Sequence, residues 1–473
     1  MPPIVEPPPL WPDQVRAVDF ADRMDHCAFF YDMGTGKTRA TIEAMKARKP
    51  RRTLVLCPKT VVPQWASQVK EFWQGGPQVL ALQNGTGAKK EKKIREFGDG
   101  VVSINYDAAW RGMPKRKSHA WDGIAAALME WRPDMVVCDE SHRIKAHNTR
   151  TGLFAWEIGK DARWRLCLTG TPQPNNHLDL FGQMRFINDA VLGTLWSVFR
   201  AEYAILGNSK IPQMITGLRN HDKLKALVAP YCIEATAQGL PECLTVWRWG
   251  EMSSTTAKLY RDLQSDWIAS VGGAGDVITL ANALVELLRL QQLCGGTLKS
   301  DEGTEYAIET PKRDMLCDIL DDAPSEPVVV FGVFKSDLRM VRAACNRGKV
   351  PRPYYELSGD ANQLAEWSAT IDTKREPNAV IGVNIQAGGT GINDLVRARI
   401  GVYVSTGFNW GNYAQSVARL HRPGQKRNVV LYHLGAAIND GGKPTIDSIV
   451  EKVLAAKGDN QAELLAAIRA HVK

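Results

Sequence analysis

Phe30 to Arg39 reads F-Y-D-M-G-T-G-K-T-R. The apolar run A-F-F-Y (28–31) leads straight into two glycines, a lysine and a threonine. A strand, a glycine turn and a helix opening at Lys37 aim backbone N–H groups and a helix dipole at one point, an arrangement that suits phosphate. Lys37 would then lie near the β- and γ-phosphates, with the Thr38 hydroxyl on Mg²⁺. The stretch departs from G-x-x-x-x-G-K-[ST] in one place, because Tyr31 stands where the first glycine belongs. Taken alone, the segment also fits an ordinary helix start after a glycine turn.

Outward from this loop, short apolar runs alternate with helical patterns to about residue 185. The expected strands are 28–31, 53–57, 101–106, 134–139 and 165–169, with a helix over Val62 to Trp73 between two of them. Buried strands alternating with helices predict a parallel sheet covered on both faces. Residues 186–310 read as mostly helical, without strands. Alternation resumes at 327–334, 354–358, 379–384, 400–405 and 428–434, and a helical pattern closes the chain at 445–454. The fold class is α/β, with two lobes joined by a helical middle.

Bulk composition narrows the function classes. The chain has 473 residues, 44% hydrophobic and 23% charged, which is an ordinary globular balance. Its net charge of +8 is compatible with a polyanionic partner without requiring one. Nine cysteines with no C-x-x-C pair fit neither a disulfide framework nor a zinc ribbon, so buried thiols in a reducing compartment are expected. No run approaches the ~18 apolar residues of a membrane helix, and M-P-P-I-V-E-P-P-P lacks the features of a signal peptide. The expected location is therefore cytoplasmic in a bacterial or phage setting, or nuclear if the source is eukaryotic, with no membrane partner.

A second motif strengthens the phosphate reading. M-V-V-C-D-E-S-H ends an apolar strand on two adjacent acids. Asp139 can hold a Mg²⁺ shell, and Glu140 can orient or deprotonate an attacking water. Acids at the carboxyl end of a strand lie where α/β sheets bind ligands.

D-E-S-H-R-I-K (139–145) resembles the D-E-A-H-R-I-K of Swi/Snf-like DNA-dependent ATPases of helicase superfamily two. Five further stretches resemble the family's blocks in the same order. They are Y-D-M-G-T-G-K-T (31–38), L-V-L-C-P-K-T-V-V-P-Q-W (54–65), L-T-G-T-P-Q-P-N-N-H-L-D-L-F (168–181), Q-A-G-G-T-G-I-N (386–393) and Q-S-V-A-R-L-H-R-P-G-Q (415–425). The resemblance implies two RecA-like parallel-sheet lobes with helical insertions between them. The first would be residues 1–238, with a helical insertion after about 185. The second would be 239–473, opening with a helical protrusion at about 250–310.

The resemblance also assigns roles. It implies ATP and Mg²⁺ as cofactors, with Gln14 on the adenine and Gly34, Thr35, Gly36, Lys37 and Thr38 around the phosphates. Arg419 and Arg422 would meet the γ-phosphate, and Gly391, Asn393 and Gln415 would line the same cleft. His142, Thr169 and Thr171 fall in the coupling segments. Candidates for gripping a nucleic-acid backbone are Lys59, Thr60, Asn105, Tyr106, Arg143 and Lys145, since phosphate contacts come from hydroxyls, amides and cations. The runs R-G-M-P-K-R-K (111–117) and K-K-E-K-K (89–93) also read as solvated loops. Trp65 and Trp73 share helical spacing with Val62, Val69 and Phe72, so core packing is expected for them rather than base stacking.

The chain departs from the family pattern at Thr35 (Leu in the pattern), Ser141 (Ala), and Asn384-Ile385 (Ser-Thr). It also lacks an Arg-Arg-x-Lys block before L-P-E-C-L. A monomeric motor of the compact bacterial or phage kind is expected, translocating on double-stranded DNA, with room for an unidentified protein partner. A strand-separating helicase and a non-hydrolysing DNA-binding scaffold remain the alternatives at this point.

Overall fold

The computed structural model describes residues 7–114, 120–174, 176–207, 215–236, 239–272, 280–299, 304–385, 394–439 and 445–455. Lys115, Arg116 and Lys117 of the basic run, and Gly391 and Asn393 of the expected site, lie outside the described residues. The chain forms two compact units, one from residues 1–238 and one from residues after 238.

In the first unit the strands are β1 (His26–Tyr31), β2 (Arg52–Cys57), β3 (Val79–Leu82), β4 (Gly100–Asn105), β5 (Met135–Asp139) and β6 (Trp164–Leu168). A short antiparallel pair, β7 (Ala204–Leu206) and β8 (Ile215–Leu218), precedes β9 (Cys232–Ala235). Seven of them make one sheet in the order β3-β4-β2-β5-β6-β1-β9, and every neighbouring pair is parallel. Alternate residues feed two separate cores. Phe30, Leu54, Ile104 and Val136 face one side, while Phe29, Val55, Val101 and Val137 face the other. That two-sided burial is why these strands read as unbroken apolar runs. The helix Val62–Phe72 carries Pro63 in its first turn and buries Val62, Trp65 and Val69 against the second core.

The second unit holds β10 (Cys243–Glu251), an antiparallel pair β11 (Thr297–Lys299) and β12 (Glu305–Ala307), then β13 (Val328–Gly332), β14 (Tyr354–Leu357), β15 (Val380–Asn384), β16 (Ile400–Tyr403) and β17 (Val429–Ala437). Its sheet runs β10-β17-β16-β13-β15-β14, again parallel throughout. Two parallel-sheet α/β units with helices are thus present. The expectation of a strand-free middle over 186–310 is corrected. Six strands lie there, β9 extending the first sheet and β10 forming an edge of the second. Both escape an apolar-run criterion because they are edge strands with charged or exposed side chains, Glu234 in one and Arg248 and Glu251 in the other.

One row of the second sheet is aromatic. Trp247, His433, Tyr403 and Phe331 are in direct register across β10, β17, β16 and β13. Their rings stack at 4.6, 4.6 and 4.7 Å between centroids. Tyr403 donates its hydroxyl to Ser416 Oγ at 2.8 Å, since that oxygen already donates to Tyr413 O at 2.7 Å. The Tyr413 hydroxyl lies 3.1 Å from His433 Nε2. The row therefore seats the helix Trp410–Leu420, which Asn409 caps by accepting from Asn412 N. Behind the sheet, the fully buried Lys312 pairs with Asp447 at 2.8 Å and donates to Val404 O at 2.9 Å, fastening the helix Ile446–Ala455.

Two outcomes follow from these buried groups. Burial, with the Lys312 charge adding, pushes the His433 imidazole down to about 3. The unfolded chain binds that proton near pH 6.5, so the folded state loses up to about tenfold in its equilibrium ratio per pH unit from 6.5 down to about 3. Unfolding midpoints taken across this range should fall less steeply for His433→Phe. Lys312→Met leaves the Asp447 carboxylate buried without its cation and should cost about 3–5 kcal/mol in denaturant titration.

Candidate active site

Parallel pairing sends β1, β2, β4, β5 and β6 out of the sheet at one edge, and the expected nucleotide loops of the first unit sit there. After β1, Gly34 and Gly36 take φ of 82° and 81°, and Gly36 precedes the helix Lys37–Arg48. A Cβ at Gly36 would stand 2.0 Å from Gln14 Nε2, so only glycine fits beside that amide. Gln14 is buried, accepts from Trp11 N (2.9 Å) and donates to Gly36 O (3.4 Å), which holds the helix Pro12–Arg23 against the loop. Tyr31, standing in place of a glycine, donates its hydroxyl to Asp13 O at 2.6 Å and ties the same helix to β1. The Thr35 hydroxyl closes the turn on Asp32 O (2.6 Å), and Lys37 Nζ donates to Tyr31 O (2.6 Å) and Asp32 O (3.1 Å).

The acid pair follows β5. Glu140 adopts a left-handed backbone (φ 53°, ψ 54°), uncommon for a residue with a side chain, before a 3-10 turn over Ser141–Ile144. Asp139 Oδ1 accepts from Glu140 N (3.0 Å), and Oδ2 accepts from the Trp65 indole Nε1 (2.9 Å). Burial, with the Glu140 charge adding, raises the Asp139 carboxyl well above the usual range. Burial pushes Glu140 up too, but the hydrogen bond and charge of His142, with the charge of Lys37, outweigh it and hold Glu140 low. The Lys37 charge lowers both carboxyls. Glu140 Oε2 is buried without a well-made hydrogen bond, with His142 Nδ1 at 3.4 Å. That nitrogen sits closer to Thr169 Oγ1 (3.1 Å), at the end of β6, and lies 3.5 Å from Thr171 Oγ1. The structure thus joins Glu140, His142, Thr169 and Thr171 in one cluster.

The donor set fits a hard divalent cation. Two adjacent buried carboxylates resist joint ionisation unless a positive charge accompanies them. Among the described residues, no three or more His, Cys, Asp or Glu side chains converge as a protein-only cage would. One carboxylate and a hydroxyl, with phosphate oxygens completing the shell, is how Mg²⁺ is usually held. Asp139 and Thr38 are the residues that could supply it.

In the second unit, the helix Trp410–Leu420 carries Gln415 and Arg419, with Arg422 just beyond. Arg419 is 7% exposed and its Nη1 is buried without a hydrogen bond. Burial lowers Arg419 to about 10 and also lowers Arg422. A buried guanidinium nitrogen lacking a partner is suited to an anion. Asn384 donates to Val333 O (2.9 Å), so its amide serves the strand ends.

The expected nucleic-acid contacts divide. Lys59 and Thr60 are exposed beyond β2, and Arg143 is exposed, 3.6 Å from Asp107. Lys145 pairs with Asp179 at 3.3 Å. Asn105 is buried. Tyr106 corrects the expectation, being only 2% exposed, with its hydroxyl donating to Asp139 O at 2.8 Å inside the core. An aromatic ring at the end of an apolar strand packs inward, and here its polar tip finds a carbonyl. Trp65 is core, as its spacing indicates, yet it also holds Asp139. Helical periodicity reports the burial of an indole but not the direction of its N–H.

Two parallel-sheet units, with a glycine turn, an acid pair and a threonine turn on one sheet edge, place the chain in helicase superfamily two. The profile of the SNF2-related domain matches residues 19–297, and the chain belongs to that family of DNA-dependent ATPases. It is 24% identical over 462 residues to the probable global transactivator of Orgyia pseudotsugata multicapsid polyhedrosis virus, covering 91% of this chain and 87% of the relative. It is likewise 24% identical over 485 residues to the DNA repair and recombination protein RAD54-like of Drosophila virilis, covering 90% of this chain but 58% of that relative. Among solved structures it is similar to the Sulfolobus solfataricus SWI2/SNF2 ATPase core in complex with dsDNA, with TM-score 0.43, 19% identity, and coverage of 96% and 93%. No described helix is long and apolar enough to cross a membrane.

Trp65→Phe keeps most of the ring volume and removes the N–H on Asp139. Titrating Mg²⁺ in a steady-state ATPase assay should then show roughly tenfold more metal needed for half-maximal turnover, the effect expected of losing a group that orients a ligand.

Proposed function

We propose that the chain is an ATP-hydrolysing motor that runs along double-stranded DNA and remodels or displaces what is bound there. The observation that carries the reading is Glu140, a buried carboxylate in a left-handed turn whose Oε2 faces His142 Nδ1 at 3.4 Å. The similarity to RAD54-like DNA repair and recombination proteins supports DNA as the polymer. Residues 1–238 act as the first ATPase lobe and residues 239–473 as the second.

The geometry of each unit supports the following roles. Backbone N–H groups of Gly34 to Thr38 cradle the phosphates, and Lys37 exchanges its carbonyl partners for phosphate oxygens. Gln14 positions the base. Asp139 and Thr38 would hold Mg²⁺, which would supply neutralisation of the phosphate oxygens. Glu140 Oε2 orients the water and accepts its proton as the water oxygen bonds to the γ-phosphorus. The bond from that phosphorus to the β–γ bridging oxygen breaks, ADP carries away the electron pair, and the proton passes on to phosphate. Arg419, whose Nη1 is buried without a hydrogen bond, is the second-unit group best suited to an anionic phosphoryl oxygen, with Arg422 and Gln415 on or just beyond the same helix. His142, Thr169 and Thr171 relay the state of Glu140 to the polymer contacts. Lys59, Thr60 and Arg143 touch phosphates without reading bases.

ATP turnover measured side by side without nucleic acid and with single-stranded DNA, duplex DNA, forked DNA and RNA tests the proposal. Duplex DNA should stimulate most, and a third strand should be displaced from a triplex without duplex unwinding. Glu140→Gln should lower kcat by about 10²–10⁴. Equal rates with all polymers, or full turnover in Glu140→Gln, would overturn it.

A further inference from the structure

The acid turn and the threonine turn are joined twice. The first link is the half-exposed His142, reaching Thr169 and Thr171. The second is buried and runs through a residue outside every motif. Gln183, fully buried in the helix Leu180–Ile187, accepts at Oε1 from Ser141 Oγ (2.8 Å). Its Nε2 donates to Pro172 O (2.6 Å) in the threonine turn and to Asp179 O (3.1 Å). Carbonyls only accept, so the amide orientation is fixed by chemistry, and the Ser141 hydroxyl must be the donor.

The surroundings bind the same three elements. A Cβ on Gly182 would lie 2.2 Å from Ile144 O and 2.5 Å from Lys145 O, so this helix presses its backbone onto the acid turn. Lys145 grips Asp179 at the helix start. Ser141 has no solvent exposure, so its hydroxyl has no water to fall back on. A buried amide reading both turns at once resists any movement of one without the other, because a shift would orphan a donor or an acceptor. The resembling family pattern has Ala at position 141, so this hydroxyl is a departure from that pattern.

We infer that Gln183, through Ser141, is a positioning residue that makes the acid turn and the threonine turn shift as one body. It rests on the proposed motor reading, because it supplies that motor's internal linkage.

Hydrogen–deuterium exchange on the full, nucleotide-free chain tests the linkage directly. Ser141→Ala removes an atom from the acid turn only. If the relay operates, exchange at Thr171 and Gln173 should accelerate by about threefold or more, and Gln183→Met should accelerate both turns. Acceleration confined to residues 140–146 in Ser141→Ala would overturn it. The functional readout is the ratio of duplex-stimulated to basal ATP turnover, expected to fall about 3- to 30-fold in Gln183→Met with KM for ATP within twofold of the parent. An unchanged ratio with only a lower unfolding midpoint would reduce Gln183 to a packing residue. Absence of stimulation in the parent chain would count against the motor reading, and the exchange result would still decide the linkage.

Discussion

Parallel pairing is the constraint on which the rest depends. A parallel neighbour can be reached only by a crossover, so each strand of the first sheet delivers its chain to the same edge before a helix carries it back. Residues far apart in the sequence, such as Trp65 and Asp139, become neighbours for that reason. The apolar strands are the means by which several polar groups share one edge. The arrangement there is expensive to assemble, with two adjacent buried acids and a left-handed backbone at Glu140, and the two hydrophobic cores flanking the sheet hold it in place.

The second sheet solves a similar problem with different material. Its aromatic row runs across four strands in register; the Tyr403 hydroxyl of that row reaches Ser416 of the helix bearing Arg419, and the Tyr413 hydroxyl of the helix reaches back to His433. A cation kept in apolar surroundings needs a rigid seat, and stacked rings give one without competing for the charge. The row ends on β10, the edge strand least visible in the sequence.

Much of this was legible before the structure. The runs A-F-F-Y, T-L-V-L-C and D-M-V-V-C-D mark β1, β2 and β5 to within two residues, because burial on both faces leaves no polar interruption. β3, β9 and β10 escaped because a four-residue or edge strand needs only partial burial, and V-L-A-L or C-I-E-A carries too little pattern. The motif residues were legible as types, since phosphate, metal and water chemistry restrict which side chains serve. Their partners were not. Trp65 looks like any core tryptophan, Tyr106 like a surface candidate after a strand, and Gln183 like a stray amide in L-F-G-Q-M-R-F-I. Hydrogen-bond direction is a property of three-dimensional placement, and residue spacing carries no record of it.

The left-handed backbone at Glu140 sets a conflict at a single residue. That conformation favours glycine or asparagine, and a long acidic side chain is held there against local preference. Selection for thermal robustness alone would drift toward those smaller residues and silence the chemistry. A glutamate in this conformation is therefore a residue that libraries screened only for solubility or heat tolerance would discard first.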